Sequence, residues 1–499
     1  MKQLFYMDFK VGISLQTQIK EMLVTTILDG HINTGDALPS CRELAKTLGV
    51  SRNTVVLAYD KLIEEGYVIA RERKGFFVHL TFSECQAKSN PPSSFSGEQL
   101  DWSTKLRIKP SHQEHLKKPK SWRDCQFPFI YGQPDCDFFP IREWRESVLR
   151  TTQSIQTKAW LKDDVDKDDP LLIEQLRTRI LARRGVRCHQ DEILLTVGTQ
   201  HCLFMLSQLI GGKGVRLGVE NPGYPDARHI FELNQTDLCP LPIDHEGLII
   251  NDLIDDCDCL FVTPSHQSPS TVTLPLKRRL ALLDKAKHND IVIIEDDYEC
   301  ELNFYNTPTP ALKSLDKDGR VIYVGSLSKT LAPGLRLGYM VAPADLITEA
   351  RALRRLMMRH TPANNQRALA FFLASGHHDT MVYRLKQRYV ERAECLQNAL
   401  NQWLPEVTIA PFLGGSSVWL KGPKGMDSKL LQQEALKKGV FIETGYEHFY
   451  GSYPLEDAKR YFRLGFSLIK TDDIFLGIRL LSQAMERTVS DVRFAELSV

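Results

Sequence analysis

The sequence predicts an α/β protein in two parts: a small helical unit closed by a β-hairpin, and a larger unit built on a mainly parallel sheet. Three observations carry this. Residues 16–65 place apolar side chains at helical spacing in short runs with their own capping residues. Residues 66–78 then read as two short strands around a basic tip. From residue 126 onward, almost wholly apolar runs such as Ile291-Val292-Ile293-Ile294 alternate with helical stretches, the pattern of a sheet buried on both faces.

The bulk properties set limits. A chain of 499 residues is too long for one core, and roughly two to four domains are expected. Net charge is +1, so an anionic partner must be met by a local patch rather than a global field. The eleven cysteines are scattered, with no CxxC pair to start a zinc site. With no signal peptide and no run of eighteen apolar residues, they fit a reducing cytoplasm and exclude a membrane span.

In residues 1–80, Ile19, Leu23, Ile27 and Leu28 mark a first helix. Ser40 is a good N-cap with Glu43 three residues on, opening a helix from Cys41 to Leu48 that Gly49 ends. Ser51 caps the next, from Arg52 to about Glu65. Two short helices joined by Leu48-Gly49-Val50-Ser51 match a helix-turn-helix, and the hairpin behind them matches a wing. Ser51, Arg52, Asn53 and Thr54 begin the second helix, the end of a recognition helix that meets base edges and phosphates. Arg42 can reach the backbone, and Arg73 and Lys74 at the wing tip can reach a minor groove or phosphates. A protein-interaction domain with ordinary exposed cations is the alternative. The ordered series of capped helices, glycine turn and basic hairpin favours DNA.

Leu38-Pro39-Ser40-x-Arg42-Glu43-Leu44-Ala45, Val50-Ser51-Arg52-Asn53-Thr54-Val55 and Glu65-Gly66-Tyr67 resemble the winged-helix domain of GntR-type bacterial repressors. That family's wing usually carries Gly-Ser-Gly. Arg73-Lys74-Gly75 here implies a stiffer, more cationic tip. Residues 81–125, rich in Pro, Ser and Gly around Ser89–Gly97 and in lysine at Lys117, Lys118 and Lys120, read as an unstructured linker with solvated charge.

In residues 126–499, five strand-like runs each end in polar or glycine chemistry, where parallel sheets place ligands. Thr196 leads to Gly198-Thr199-Gln200, a helix opening whose free N–H groups suit phosphate. Val219 leads to Tyr224, Val262 to Pro264-Ser265-His266-Gln267, and Ile294 to Glu295-Asp296-Asp297-Tyr298. Val324 leads to Ser326-x-Ser328-Lys329, with Arg336 seven residues on. The set suits pyridoxal phosphate. Lys329 would form the Schiff base, and Asp296 would pair with the pyridinium nitrogen. Tyr298 would bond the ring hydroxyl and Tyr224 would stack on the ring. Gly198, Thr199, Gln200, Ser326, Ser328 and Arg336 would cradle the phosphate. Arg463, a cation amid apolar residues in Arg460–Phe466, suits either a ligand carboxylate or an internal salt bridge.

This second part resembles a fold-type I aminotransferase. Joined to the GntR-like part, it resembles the MocR/GabR class of transcription regulators. Further markers are Gly132-Gln133-Pro134-Asp135 with Phe139-Pro140. The resemblance implies a homodimer that binds operator DNA and an amine or amino-acid effector. The effector would exchange with Lys329 on the cofactor. Three departures stand out. Lys167 and Leu172 occupy positions where related chains carry Tyr and Gly. Ser268-Pro269-Ser270-Thr271 replaces the Asn-Pro-Thr-Gly of transaminases. Asp168–Glu174 resembles the branch that senses compatible-solute breakdown products such as those of ectoine. The first two favour sensing over turnover. A working aminotransferase with an accessory DNA-binding domain and a sensor of pyridoxal phosphate itself remain the alternatives.

Overall fold

A computed structural model describes residues 12–79, 100–113, 118–304, 309–327 and 329–496. The chain divides into two compact units between Arg107 and Ile108.

The first unit holds helices α1 (Leu15–Leu28), α2 (Cys41–Leu48) and α3 (Arg52–Glu64) and a hairpin of β1 (Val68–Arg71) with β2 (Gly75–Val78). The caps lie where the sequence places them. Ser40 Oγ accepts from Glu43 N at 3.2 Å, and Ser51 Oγ accepts from Thr54 N at 3.2 Å. Gly49, at φ 66°, takes the left-handed turn between α2 and α3 that other residues adopt only at a cost. Ile19, Leu23, Leu44, Val55 and Leu62 form the core with Val68 and Val78, fixing the hairpin against the helices. Tyr59 locks this arrangement. Its ring meets Phe76 edge-on at 4.8 Å, and its hydroxyl donates to Pro39 O at 2.7 Å. The wing tip lacks the first of the usual glycines: Arg73 itself takes φ 61°, while Gly75 keeps φ 103°.

The second unit is built on an eight-stranded sheet. Its strands are β3 (Ile193–Thr196), β4 (Arg216–Asn221), β5 (Asp237–Asp244), β6 (Gly247–Leu248), β7 (Cys259–Val262), β8 (Val292–Asp296), β9 (Val321–Ser326) and β10 (Gly338–Val341). The order is β3-β10-β9-β8-β7-β4-β5-β6. Strands β9, β8, β7, β4 and β5 run parallel, and β10 is antiparallel to both of its neighbours. All five strands expected from the apolar runs are present. Strand β10 was not foreseen, being four residues long and close behind Arg336. Nor was β5, whose Pro240 and Pro242 argue against a strand by composition.

Alternation across the sheet feeds two cores. Leu194, Ile322 and Val324 pack with Leu203, Leu206 and Ile347 from helices α4 (Thr199–Ile210) and α5 (Ala344–Met358). Ile193, Leu195 and Tyr323 pack on the opposite face with Leu369 and Phe372. A smaller sheet follows, β11 (Thr408–Ile409), β12 (Ser417–Lys421), β13 (Glu443–Thr444) and β14 (Tyr461–Gly465), in the order β11-β12-β14-β13. It carries Arg463. No described helix is long and apolar enough to cross a membrane.

Ser40→Ala removes one cap from α2 and should destabilise the first unit by about 1 kcal/mol. Ser40→Asp, which keeps an acceptor, should lose far less. Thermal melts of the two variants check this, and equal losses would contradict the capping role.

Candidate functional site

The carboxyl ends of the parallel strands surround a cavity of about 260 Å³. Three consecutive acids stand at the end of β8, Glu295, Asp296 and Asp297, all nearly inaccessible to solvent, and Asp296 lines the cavity. Glu295 accepts from the backbone N–H groups of Leu312 and Lys313, each at 2.7 Å. Asp297 accepts from Arg184 Nε at 2.8 Å and from the Tyr323 hydroxyl at 2.7 Å. Despite its burial, those partners hold Asp297 below the usual carboxylate range. Asp296 differs. It lines the cavity, and its buried Oδ1 has no hydrogen-bond partner. Burial, then the charge of Asp297, pushes its carboxyl up to about 8.

An acid placed so lacks a donor, preferably a cationic one. The opposite requirement stands nearby. Gly198, at φ 83°, opens α4, so the helix's first N–H groups are free beside Thr199, which lines the cavity. Arg336 Nη2 donates to Val197 O at 2.8 Å, and a Cβ on Gly198 would meet that nitrogen at 3.1 Å. A helix N-terminus and a guanidinium thus converge, as an anion requires. A ring with a protonated nitrogen at one end and a phosphate at the other satisfies both. The residues therefore fit pyridoxal phosphate.

The other expected residues distribute as follows. Tyr224, Tyr298 and Lys329 line the same cavity. Tyr298 shares a hydrogen bond with Ser268, the residue standing where transaminases have Asn. Lys329 Nζ lies 4.3 Å from the centre of the Tyr131 ring, and a side chain on Gly132 would meet it at 3.2 Å. Desolvation holds the Lys329 amine below its ordinary value against the pull of Glu299; Arg463 and Lys118 push the same way. Ser326 ends β9, half-buried. Ser328 lies outside the described residues. The Gln200 side chain turns to Asp226 Oδ2 at 2.5 Å and the Tyr224 hydroxyl at 3.4 Å. Arg463 is almost fully buried and lines the cavity. Its Nε and Nη2 lie 2.9 and 2.7 Å from one oxygen of Glu443.

Lys167 is exposed, and Leu172 is buried in the main core. The loop between them is held by Asp168, which binds Arg351 at 2.9 Å and Arg354 at 2.7 Å, and by Asp169, which binds Arg367 at 2.6 Å. On the first unit, Arg42, Ser51, Arg52, Asn53, Arg73 and Lys74 are exposed, while Thr54 is half-buried in the cap.

Sequence reading missed Lys118, Tyr131, Glu443 and His448. Tyr131 precedes the Gly132–Asp135 marker and could have been suspected. Lys118 was read as solvated linker charge, yet its Nζ donates to Tyr131 O at 2.6 Å and lies 3.3 Å from Glu443 Oε1. His448 lines the cavity with its Nδ1 facing Gly223 O at 2.9 Å. That carbonyl can only accept, so Nδ1 carries the proton. Burial, with Arg463 and Arg228 near, keeps the ring neutral, leaving Nε2 as a buried acceptor without a partner.

Comparison with known proteins follows these lines. Residues 15–78 match the family of bacterial regulatory proteins, gntR family, and residues 150–471 match aminotransferase class I and II. The chain is 38% identical to the HTH-type transcriptional regulator TauR of Rhodobacter capsulatus, over 95% of this chain and 96% of that one. It is 29% identical to the probable rhizopine catabolism regulatory protein MocR of Rhizobium meliloti, over 96% and 95% of the two chains. The structure of the α-aminoadipate aminotransferase LysN from Thermus thermophilus, complexed with N-(5'-phosphopyridoxyl)-L-leucine, is similar. The TM-score is 0.69 at 26% identity, covering 78% of this chain and all 100% of that one.

The unpaired acid gives a pH test. A carboxyl raised from 3.8 unfolded to about 8 folded holds its proton longer in the native state. The cofactor-free protein should therefore lose stability as pH rises from about 4 to about 8. Asp296→Asn should flatten that loss and also abolish retention of pyridoxal phosphate. Melting midpoints between pH 5 and 8, with and without cofactor, measure both, and an unchanged pH slope would contradict the assignment.

Proposed function

The chain belongs to the MocR/GabR-type transcription regulators, a GntR-type winged helix fused to an aminotransferase-like domain, and from that membership we propose that it senses an amine or amino acid through pyridoxal phosphate held at Lys329. The observation that carries the reading is Asp296, which lines the same cavity as Lys329 and whose buried Oδ1 has no hydrogen-bond partner. The cofactor supplies an aldehyde that bonds amines reversibly. Asp296 is placed to hold a cationic ring nitrogen. Tyr224 offers an aromatic face, Tyr298 and Ser268 offer hydroxyls, and Gly198, Thr199 and Arg336 offer donors for a phosphate. Lys329 and an incoming amine compete for the aldehyde, and Arg463 supplies a cation for an acid group.

Effector occupancy would favour one arrangement of a homodimer and shift operator affinity through a coupling of about 1–3 kcal/mol. The recognition helix would act through Arg52 and Asn53, with Arg42, Ser51, Thr54, Arg73 and Lys74 holding the backbone. Sensing is favoured over turnover by two features. The loop at residues 167–172 is fixed by buried ion pairs around Leu172, and a serine stands at position 268. The resemblance at residues 168–174 proposes compatible-solute catabolites as one effector class, met in the cytoplasm.

Two substitutions test the two halves separately. Lys329→Ala should abolish the visible absorbance of the bound cofactor. Arg52→Ala should weaken operator binding about tenfold while leaving that absorbance intact. A wild-type protein without such absorbance would sink the cofactor reading. Sustained turnover of an amino donor and a keto acid at ordinary enzyme rates would replace sensing with transamination.

A further inference from the structure

We propose that Lys118, on the segment leading into the second unit, is a second anion-binding cation of the effector site, and that the effector is consequently a short amine bearing an acid group. The inference rests on the sensing function proposed above and names its ligand class.

The observations converge on one ion cluster. Arg463 and Lys118 share a single counter-charge, Glu443. Both cations also line the cavity, so they meet at its wall around one carboxylate. Arg463 and Glu443 are almost inaccessible, whereas the Lys118 side chain is about 32% exposed, so the lysine is the member free to adjust. The contacts of Arg463 with Glu443 use Nε and Nη2, so the Nη1 end takes no part in that pair. Lys118 Nζ spends one N–H on Tyr131 O, and an ammonium has three. A ligand acid group between Nη1 and Nζ would meet donors from both residues.

The spacing limits the ligand. Arg463 Cζ lies 4.0 Å and Lys329 Nζ 4.3 Å from the centre of the same Tyr131 ring, so the two are at most 8.3 Å apart. A guanidinium–acid fork takes up about 4 Å of that span. An amine in the place of Lys329 Nζ therefore sits only a short carbon spacer away from an acid at Arg463. Lys118 also pulls on the backbone of Tyr131, whose ring lies between both cations.

The test uses full-length protein loaded with pyridoxal phosphate and titrates the cofactor absorbance with β-alanine, 2-aminoethylphosphonate and propylamine. The measured quantity is the preference for the two acid-bearing amines over propylamine. Lys118→Gln should lower that preference about tenfold, and Lys118→Arg should restore most of it. An unchanged preference in Lys118→Gln, with normal titration curves, would overturn the assignment. So would loss in both variants alike, because that would mark a structural role rather than a charge. If no amine alters the wild-type absorbance, the sensing function itself fails, and the assignment of Lys118 fails with it.

Discussion

Burying three acids in succession at the end of one strand is the constraint on which the second unit depends. Each carboxylate taken from water must be matched or neutralised, and the fold answers each differently. Glu295 is met by the first N–H groups of the turn at Leu312 and Lys313, and Asp297 by Arg184 and the Tyr323 hydroxyl. These contacts tie β8 to β9 and to the chain on either side of the sheet. Asp296, between them, is not matched at Oδ1 by any described residue. Asp296 points to the opposite face of the strand from its two neighbours, away from their partners. Its demand is passed to the cavity.

The same division governs the cations. Arg184, Arg279 and Arg354 are buried and spent on carboxylates or carbonyls that hold loops together. Arg463 keeps part of its donor capacity at the cavity beside a shared glutamate, and Arg336 keeps part of its own beside the N-terminus of α4. His448, neutral and with its Nε2 without a partner, adds an acceptor to a cavity wall that also carries the cations Lys118, Lys329 and Arg463. A ligand is thereby oriented as well as held.

Much of this was legible in the sequence because it is local. Apolar runs followed at once by Gly198-Thr199, by Asp296 and Tyr298, or by Lys329 state both a strand and what stands at its end. The caps Ser40 and Ser51 and the wing likewise depend on residues within a few positions of each other. What escaped is long-range. Glu443 and Arg463 meet across β13 and β14, Arg184 reaches Asp297 over a hundred residues of chain, and Lys118 sits in a stretch whose composition matches a linker. Strand β10 escaped for another reason, since Gly338 opens it directly behind the Arg336 turn. The loop after Lys167 shows the limit of motif reading. Its leucine at 172, odd against related chains, is a core residue here.

The wing tip and recognition helix present their cations to water, whereas Arg463 and Glu443 are shut away from it. Ionic strength therefore acts on the two units unequally. Mobile ions would compete with Arg42, Arg52, Arg73 and Lys74 for any phosphate these cations meet, and each such contact would steepen the loss of affinity with added salt. The buried ion cluster is screened far less. A change in salinity would thus act directly on the exposed cations of the first unit and far less on the buried ion pair of the second.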